Sequence, residues 1–453
     1  MPGRAASILL CRCTSVIAVA AAFAAPASAE DLLQVYRDAQ RYDAVYAAAR
    51  FTLEAGRERI PQGRALILPS LNLTANATKQ RFEIESSDQA VIPNIYKNPL
   101  NTNYTLTFTQ PLFRPQNFAQ RNQAEYQVRQ SEAIFAQASQ DLALRAAQAY
   151  FEVLAAQDTL ALVTAQKAAI SEQLAQAKRN FEVGTATITD THEAQARYDL
   201  VVAQEIAAQN DVDSKRRALQ AVTGKEYTQL KPLRVDVRLA PPNPVDMQSW
   251  VDLAEKQGYP VVAQEAAVEV ARLEAKRASA AHMPTLDIVG TYAQTSETPA
   301  VIAVPSVNRD ITQATLGLQL AVPIYQGGSI SSREREAAAN SARSREDLEN
   351  AKRTQALNTR QTYLAVINGI AQVGALEQAL TSSQSALDSN RLGYEVGVRI
   401  NIDVLNAQQQ LFSTRRDLAV ARYNAILNQL RLKGLAGSLR EEDLEEVNRA
   451  LQP

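Results

Sequence analysis

The strongest constraint on what this chain can fold into is an internal duplication. Phe181-Glu182-Val183-Gly184, followed by Asp190 and Ala194-Gln195, returns 213 residues later as Tyr394-Glu395-Val396-Gly397, Asp403 and Ala407-Gln408, and the same offset carries Gly224 onto Gly437. Upstream, Leu68-Pro69-Ser70-Leu71 recurs as Met283-Pro284-Thr285-Leu286, and Gln110-Pro111-Leu112-Phe113 as Val322-Pro323-Ile324-Tyr325. Chance similarity between Ala-rich helices does not keep prolines and glycines in one order, so the chain is two copies of one unit.

Each unit reads as helix, hairpin, very long helix, helix. In the first, 31–67 is helical, 69–83 and 101–112 are the strands of a hairpin, 116–182 is one helical stretch and 189–222 another. The second repeats this over 248–281, 284–294 with 311–323, 330–395 and 402–435. The predicted divisions are a leader at 1–29, a first repeat at 30–224, a linker at 225–247, a second repeat at 248–437 and a C-terminal segment at 438–453. Lys231-Pro232 and Ala240-Pro241-Pro242-Asn243-Pro244 mark the linker as irregular.

A helix of roughly 66 residues extends about 100 Å at ~1.5 Å per residue, and the two shorter ones laid end to end match it. Within the first long helix, Leu142, Ala146, Ala149, Val153, Ala156, Leu160, Val163, Ile170 and Leu174 follow 4-3 spacing, broken only by Lys167. A second seam runs through Leu144, Ala147, Phe151, Leu154, Ala161, Ala165 and Ala168, interrupted by Asp158. At ~100° per residue the two seams point about 150° apart, so the helix has neighbours on both sides. That angle suits a member of a wide closed wall and not of a two-stranded coil.

Basic and acidic residues number 47 and 48, which leaves no basic field to collect nucleic acid. Both cysteines, Cys11 and Cys13, lie in the leader, and His192 and His282 are the only histidines. Cys/His metal sites and thiol chemistry are therefore excluded from the mature chain, and no nucleophile elbow or phosphate loop appears. The chain reads as a non-enzyme without a cofactor. Arg4 and Arg12 precede the apolar run Val16–Ala25, and Ala27-Ser28-Ala29 supplies a small-x-small cleavage site, the pattern of a secretory signal. Leu10 before Cys11 argues against a lipoprotein.

Ser70 to Thr78 alternates strictly between polar and apolar residues, and Asn103 to Thr109 answers it; Leu286, Ile288 and Tyr292 face Leu316, Leu318, Leu320 and Val322 in the second unit. Such strands fit a transmembrane barrel or half of a water-facing sheet. Helices about 100 Å long with both seams in use offer the hairpins nothing to pack on, which favours the barrel. A barrel needs about eight strands, so a four-strand chain must associate with copies of itself.

These motifs, together with Ile188-Thr189-Asp190, Gln326-Gly327-Gly328 and Gly393 through Arg399 to Asp403-Val404-Leu405, resemble the TolC family of outer-membrane channel and type I secretion proteins of Gram-negative bacteria, from residue 31 to the C-terminus. The resemblance is nearer to unlipidated members than to lipid-anchored ones. It implies a mainly α protein with transmembrane β: a homotrimer whose 12-strand β-barrel in outer-membrane lipid continues as a 12-helix α-barrel across the periplasm. The linker and C-terminal segment would form an irregular equatorial belt. It further implies a periplasmic adaptor (membrane fusion) protein and an inner-membrane transporter of ABC, RND or MFS type as partners. A water-soluble periplasmic helical adaptor or scaffold is the rival reading; it would bury its hairpins in a compact domain.

The resemblance also assigns a gating network at the periplasmic mouth. Asp190 in the first unit would link to Tyr394 and Arg399 in the second, with Thr189 contributing its backbone. Arg's planar fork suits such a latch, whereas an isolated solvated pair would contribute only about 0–1 kcal/mol. Asp403 matches a pore-facing aspartate, where symmetry copies would crowd negative charge and attract cations. Asn406 stands where the family often has a second aspartate, which predicts weaker cation blockade.

Overall fold

The computed structural model describes residues 30–85, 87, 94–234, 237, 239–298 and 307–452. The expected leader at 1–29 lies outside them. The first unit opens with α1 (Leu32–Tyr42), α2 (Ala44–Arg57) and α3 (Arg59–Ala65), then β1 (Ser70–Lys79), a short ribbon of β2 (Phe82–Ile84) and β3 (Ile95–Lys97), β4 (Leu100–Phe113), α4 (Pro115–Glu182) and α5 (Ile188–Thr223). The second has α6 (Met247–Gln257), α7 (Tyr259–Ser279), a 3-10 turn at Ala280–His282, β5 (Thr285–Thr298), β6 (Arg309–Ala321), α8 (Ser329–Glu395) and α9 (Asn401–Leu435). A last helix, α10 (Glu441–Arg449), closes the chain.

The long helices are punctuated as their sequences demand. Pro115 occupies the first turn of α4, where a missing N–H costs nothing. Both long helices run out at glycines with φ 78°, Gly184 and Gly397, a left-handed backbone that releases the chain from the helix. Thr187 and Asp190 then start α5 as a reciprocal capping box.

Three expectations need correction. The stretch 31–67 is three helices and 248–281 is two plus a 3-10 turn: Asp43 and Gly258 adopt extended ψ values of 117° and 123° and restart the helix, while Glu58, between α2 and α3, keeps ψ at -12°. Asp43 caps α2 through its carboxylate, 2.6 Å from the Tyr46 amide. The C-terminal segment is also less irregular than expected, since the acidic turn Glu441-Glu442-Asp443 opens α10, where negative charge favours a helix N-terminus.

The core sits at mid-length, where α4, α9, α1 and α10 meet. Leu32, Val35, Leu142, Ala146, Tyr150, Phe151, Tyr423, Leu430 and Leu444 are buried in one cluster. Tyr150 donates to the Lys231 carbonyl at 2.8 Å, tying the middle of α4 to the linker, and Asn448 of α10 accepts from Leu32 N at 3.0 Å and donates to Asp31 at 3.1 Å, tying α10 to the start of α1. The charges that interrupt the two seams of α4 both find partners on neighbouring helices. Lys167 reaches Glu205 on α5 at 2.6 Å, and Asp158 accepts from Tyr423 of α9 at 2.6 Å. Burial holds the Asp158 carboxyl above the usual range, partly offset by that hydrogen bond.

The four main strands form one antiparallel sheet in the order β1-β4-β5-β6. Its two edges, β1 and β6, have no further strand partner among the described residues and are exposed along their length. Among the described residues no helix is long and apolar enough to cross a membrane.

Candidate conduit: sheet faces, junction and mouth

Register sorts the sheet into two faces. Leu73 pairs with Leu106, Leu106 with Tyr292 and Tyr292 with Ala314; Leu71 pairs with Phe108, Phe108 with Gly290 and Gly290 with Leu316. These rows, with Ile288 opposite Leu318 and Leu286 opposite Leu320, make one continuous apolar face, and its outer members are bare: Leu73 is 70% exposed and Leu316 78%. The other face runs Thr74–Thr105–Ala293–Gln313 and Asn72–Thr107–Thr291–Thr315, hydroxyls and amides with no charge between Asp287 at one end and the Glu297–Arg309 pair at the other. An apolar face of 10- to 14-residue strands backed by a neutral polar one is the pattern of a lipid-facing sheet with a wet interior.

The sheet is joined to the helices by an ion pair whose acid is buried. Beyond a register shift between Pro111 and Phe113, Arg114 sits at the N-cap of α4 and grips Asp287 of β5 with both prongs, Nε at 2.8 Å and Nη2 at 2.6 Å. Asp287 is only 5% exposed. Asn117 donates to the Leu66 carbonyl at 2.6 Å and Gln110 to that of Ile67 at 3.1 Å, fixing the end of α3 to the same corner. Sequence analysis missed this pair. Its signal was a single acid in the otherwise uncharged run Leu286–Gln294.

At the opposite pole, the α4–α5 and α8–α9 turns lie at the far ends of the long helices. Asp190 is engaged within its own turn, accepting from Thr187 N at 2.9 Å and Thr187 Oγ1 at 2.8 Å. Thr189 is exposed beside it. Arg399 faces Asp403 at 3.6 Å across one helical turn and is 59% exposed. Its stem folds over Gly393, where a Cβ would stand 2.7 Å from Arg399 Cγ. Tyr394 accepts from Asn180 of α4 at 3.3 Å, a cross-unit contact that sequence reasoning did not identify. Within one chain, then, Tyr394 meets the first unit through Asn180, while Asp190 and Arg399 bond to neighbours in their own turns.

Asn406 is not free. Arg197 of α5 donates to Asn406 Oδ1 at 3.0 Å and to Gln409 Oε1 at 2.5 Å, bridging the two units two turns above the mouth. The same cleft is lined by Leu405, Phe412 and Arg416 on α9 and by Leu200 and Gln204 on α5.

Comparison with known proteins agrees with this geometry. The family model described as Outer membrane efflux protein matches residues 35–225 and again 250–438, once per unit. The outer membrane protein TolC of Vibrio cholerae is 33% identical over 427 residues, covering 94% of each chain. The proteases secretion protein PrtF of Dickeya chrysanthemi is 32% identical over 93% of this chain and 91% of its own. Among solved structures, the outer membrane protein VceC of Vibrio cholerae superposes with a TM-score of 0.75 at 18% identity over 90% of this chain and 96% of that one.

Proposed function

This chain belongs to the outer membrane efflux protein family, and from that membership we propose that it is the outer-membrane exit duct of a tripartite efflux or type I secretion system. It passes small molecules or unfolded proteins from an inner-membrane transporter, through a periplasmic adaptor, to the exterior, and carries no catalytic site. The observation that carries this reading is the two-faced sheet with open edges, continuous with helices of 68 and 67 residues. Unpaired strand edges are not tolerated in lipid, so β6 of one copy must meet β1 of another. Three copies of a four-strand sheet make twelve strands. The second seam of α4 supports the same association: Ala147, Phe151 and Leu154 are buried, whereas Ala161, Ala165 and Ala168 lie exposed.

Reconstitution in a planar lipid film tests the duct. The purified mature chain should run as a trimer and give discrete conductance steps; a particle that stays monomeric and passes no current overturns the reading. Arg399→Ser and Tyr394→Phe should each raise single-channel conductance, because Arg399 and Asp190, both reachable from outside their own chain, would latch helices across the closed mouth. Unchanged conductance in both variants would remove the latch assignment.

The pore-facing acid is Asp403, and Arg197 changes what its neighbour can do. An aspartate introduced at 406 would lie within reach of the Arg197 guanidinium and be neutralised by it. Asn406→Asp alone should therefore strengthen blockade by a trivalent cation only slightly, while Asn406→Asp combined with Arg197→Gln should strengthen it markedly. Equal blockade in the single and double variants would mean that Arg197 does not shield the site.

A further inference from the structure

The helix ends that meet the sheet carry bases without acids on their outer side and mixed charge on their inner side. Four bases, Arg64, Arg121, Lys276 and Arg335, stand at one height. Arg64 follows Gly63, where a Cβ would lie 3.3 Å from Arg121 Cα. Gln123, two residues past Arg121, donates at 3.2 Å to Glu274, two before Lys276. Gln264 donates to the Ser344 carbonyl at 3.5 Å, and α7 runs toward the sheet while α8 runs away from it, so Lys276 comes level with the turn of α8 that holds Arg335. The heptads give direction. Arg335 stands four heptads before Tyr363, which is buried with Trp250 of α6, as its counterpart Tyr150 is buried with α1 and α10. That face is the one the equatorial helices cover, which in a conduit is the outside of the wall. Lys276 is two residues from Glu274 and so lies on the opposite side of α7 from the recess that Glu274 and Arg277 share with Gln116 and Arg333. Arg64 falls at the counterpart of Ser279, one turn from Lys276 and on its side.

Within two turns of the sheet the acids lie elsewhere. Glu274 pairs with Arg277 at 2.6 Å, Glu334 faces His282 at 3.5 Å, and Glu336 lines the inner recess. Among the described residues, Arg64, Lys276 and Arg335 are exposed and make no hydrogen bond or ion pair within the chain, and Arg121 Nε is buried without an acceptor. Farther from the sheet the charges return as pairs, such as Arg272 with Glu269 at 2.7 Å. Between this collar and the apolar rows of the sheet, Leu68, Met283, Ile324 and Tyr325 are bare, Ile324 at 93% and Tyr325 at 85%. An apolar band bordered by an acid-free row of bases, in a chain whose charges otherwise balance, complements acyl chains on one side and phosphates on the other. We propose that Arg64, Lys276 and Arg335 bind the phosphate of anionic glycerophospholipids in the periplasmic leaflet of the outer membrane. This rests on the lipid-facing sheet, and adds which headgroup its rim recognises and through which residues.

Binding of a fluorescently labelled phosphatidylglycerol to the purified protein in neutral detergent, read by anisotropy, tests the collar. Wild type should bind it more tightly than phosphatidylcholine of the same chains, and added salt should weaken the binding. Each of Arg64→Gln, Lys276→Gln and Arg335→Gln should lower the affinity about fivefold, the effect of one base near an anionic surface. Arg333→Gln, at the same height but on the inner side, should leave it unchanged, and inorganic phosphate at equal concentration should not compete. Equal affinity for the two lipids overturns the collar, and so does a loss in Arg333→Gln as large as that in Arg335→Gln. Displacement by inorganic phosphate would overturn it too, because the row would then be a site for the free anion. Conductance in a planar film separates this from the duct. A protein that conducts without any lipid preference loses the collar and keeps the duct, whereas one that neither conducts nor binds either lipid loses both.

Discussion

Arg114→Ala should destabilise the folded chain by about 3 kcal/mol, the low end of what breaking a buried ion pair costs, because the Asp287 carboxyl would be left buried without its partner. Asp287 is buried against the sheet and held by two charge-assisted hydrogen bonds from one guanidinium. The Arg114 side chain is itself 39% exposed, which moderates the loss by letting water approach. Urea unfolding in detergent checks the size of the effect. Replacing both partners, Arg114→Met with Asp287→Leu, should recover much of the loss, since no desolvated charge would remain. Removing Arg416, whose pairing with Asp417 is between exposed side chains, should cost less than about 1 kcal/mol. If Arg114→Ala and Arg416→Ala behave alike, the junction does not depend on this pair.

How much of this was legible in the sequence depended on whether a feature is local. The ends of the long helices were readable to within a residue or so, because Pro115, Gly184, Gly328 and Gly397 are backbone instructions that need no partner. The alternation in Ser70–Thr78 likewise stated which residues share a face. By contrast, the break at Asp43 was hidden, since a single Asp is tolerated inside a helix, whereas the break at Gly258 carried a signal that was passed over, Pro260 in the first turn of α7. α10 was hidden because nine residues carry too weak a pattern; it exists by docking on Leu32 and the linker. The Arg114–Asp287 pair spans 173 positions and the Arg197–Asn406 contact 209, so neither pairing follows from sequence spacing, although Asp287 stands out as the one acid of its strand run. Gly393 was quoted as part of a motif, but its physical reason, the Arg399 stem lying over it, appears only in three dimensions.

Leu316→Arg and Gly317→Arg should have opposite outcomes although the two positions are adjacent. Side chains alternate across a strand, so neighbouring residues share a depth and differ only in face. Leu316 stands on the apolar face against Gly290, whereas Gly317 is on the hydroxyl- and amide-lined face, with open space where a Cβ would be added. If the apolar face meets lipid, arginine at 316 carries a cost of about 2–4 kcal/mol near the bilayer midplane. The heat stability and yield of the protein in the outer membrane should then fall. Arginine at 317 should leave both near wild type, because its head would remain in water, and should instead shift reversal potential toward anions by adding charge to a neutral interior. Equal loss at the two positions would mean that the sheet is buried on both sides in protein, as the rival scaffold reading requires. If that face lines the proposed duct, its neutrality matters for cargo as well. A wall of threonine, asparagine and glutamine offers hydrogen bonds of either sense and no fixed charge, so it neither retains nor repels a passing chain by its net charge. In a duct of the proposed kind, charge-based discrimination would then be left to the mouth, where Arg399 faces Asp403, and to Arg197 two turns above it, and the rest to the transporter that supplies the cargo.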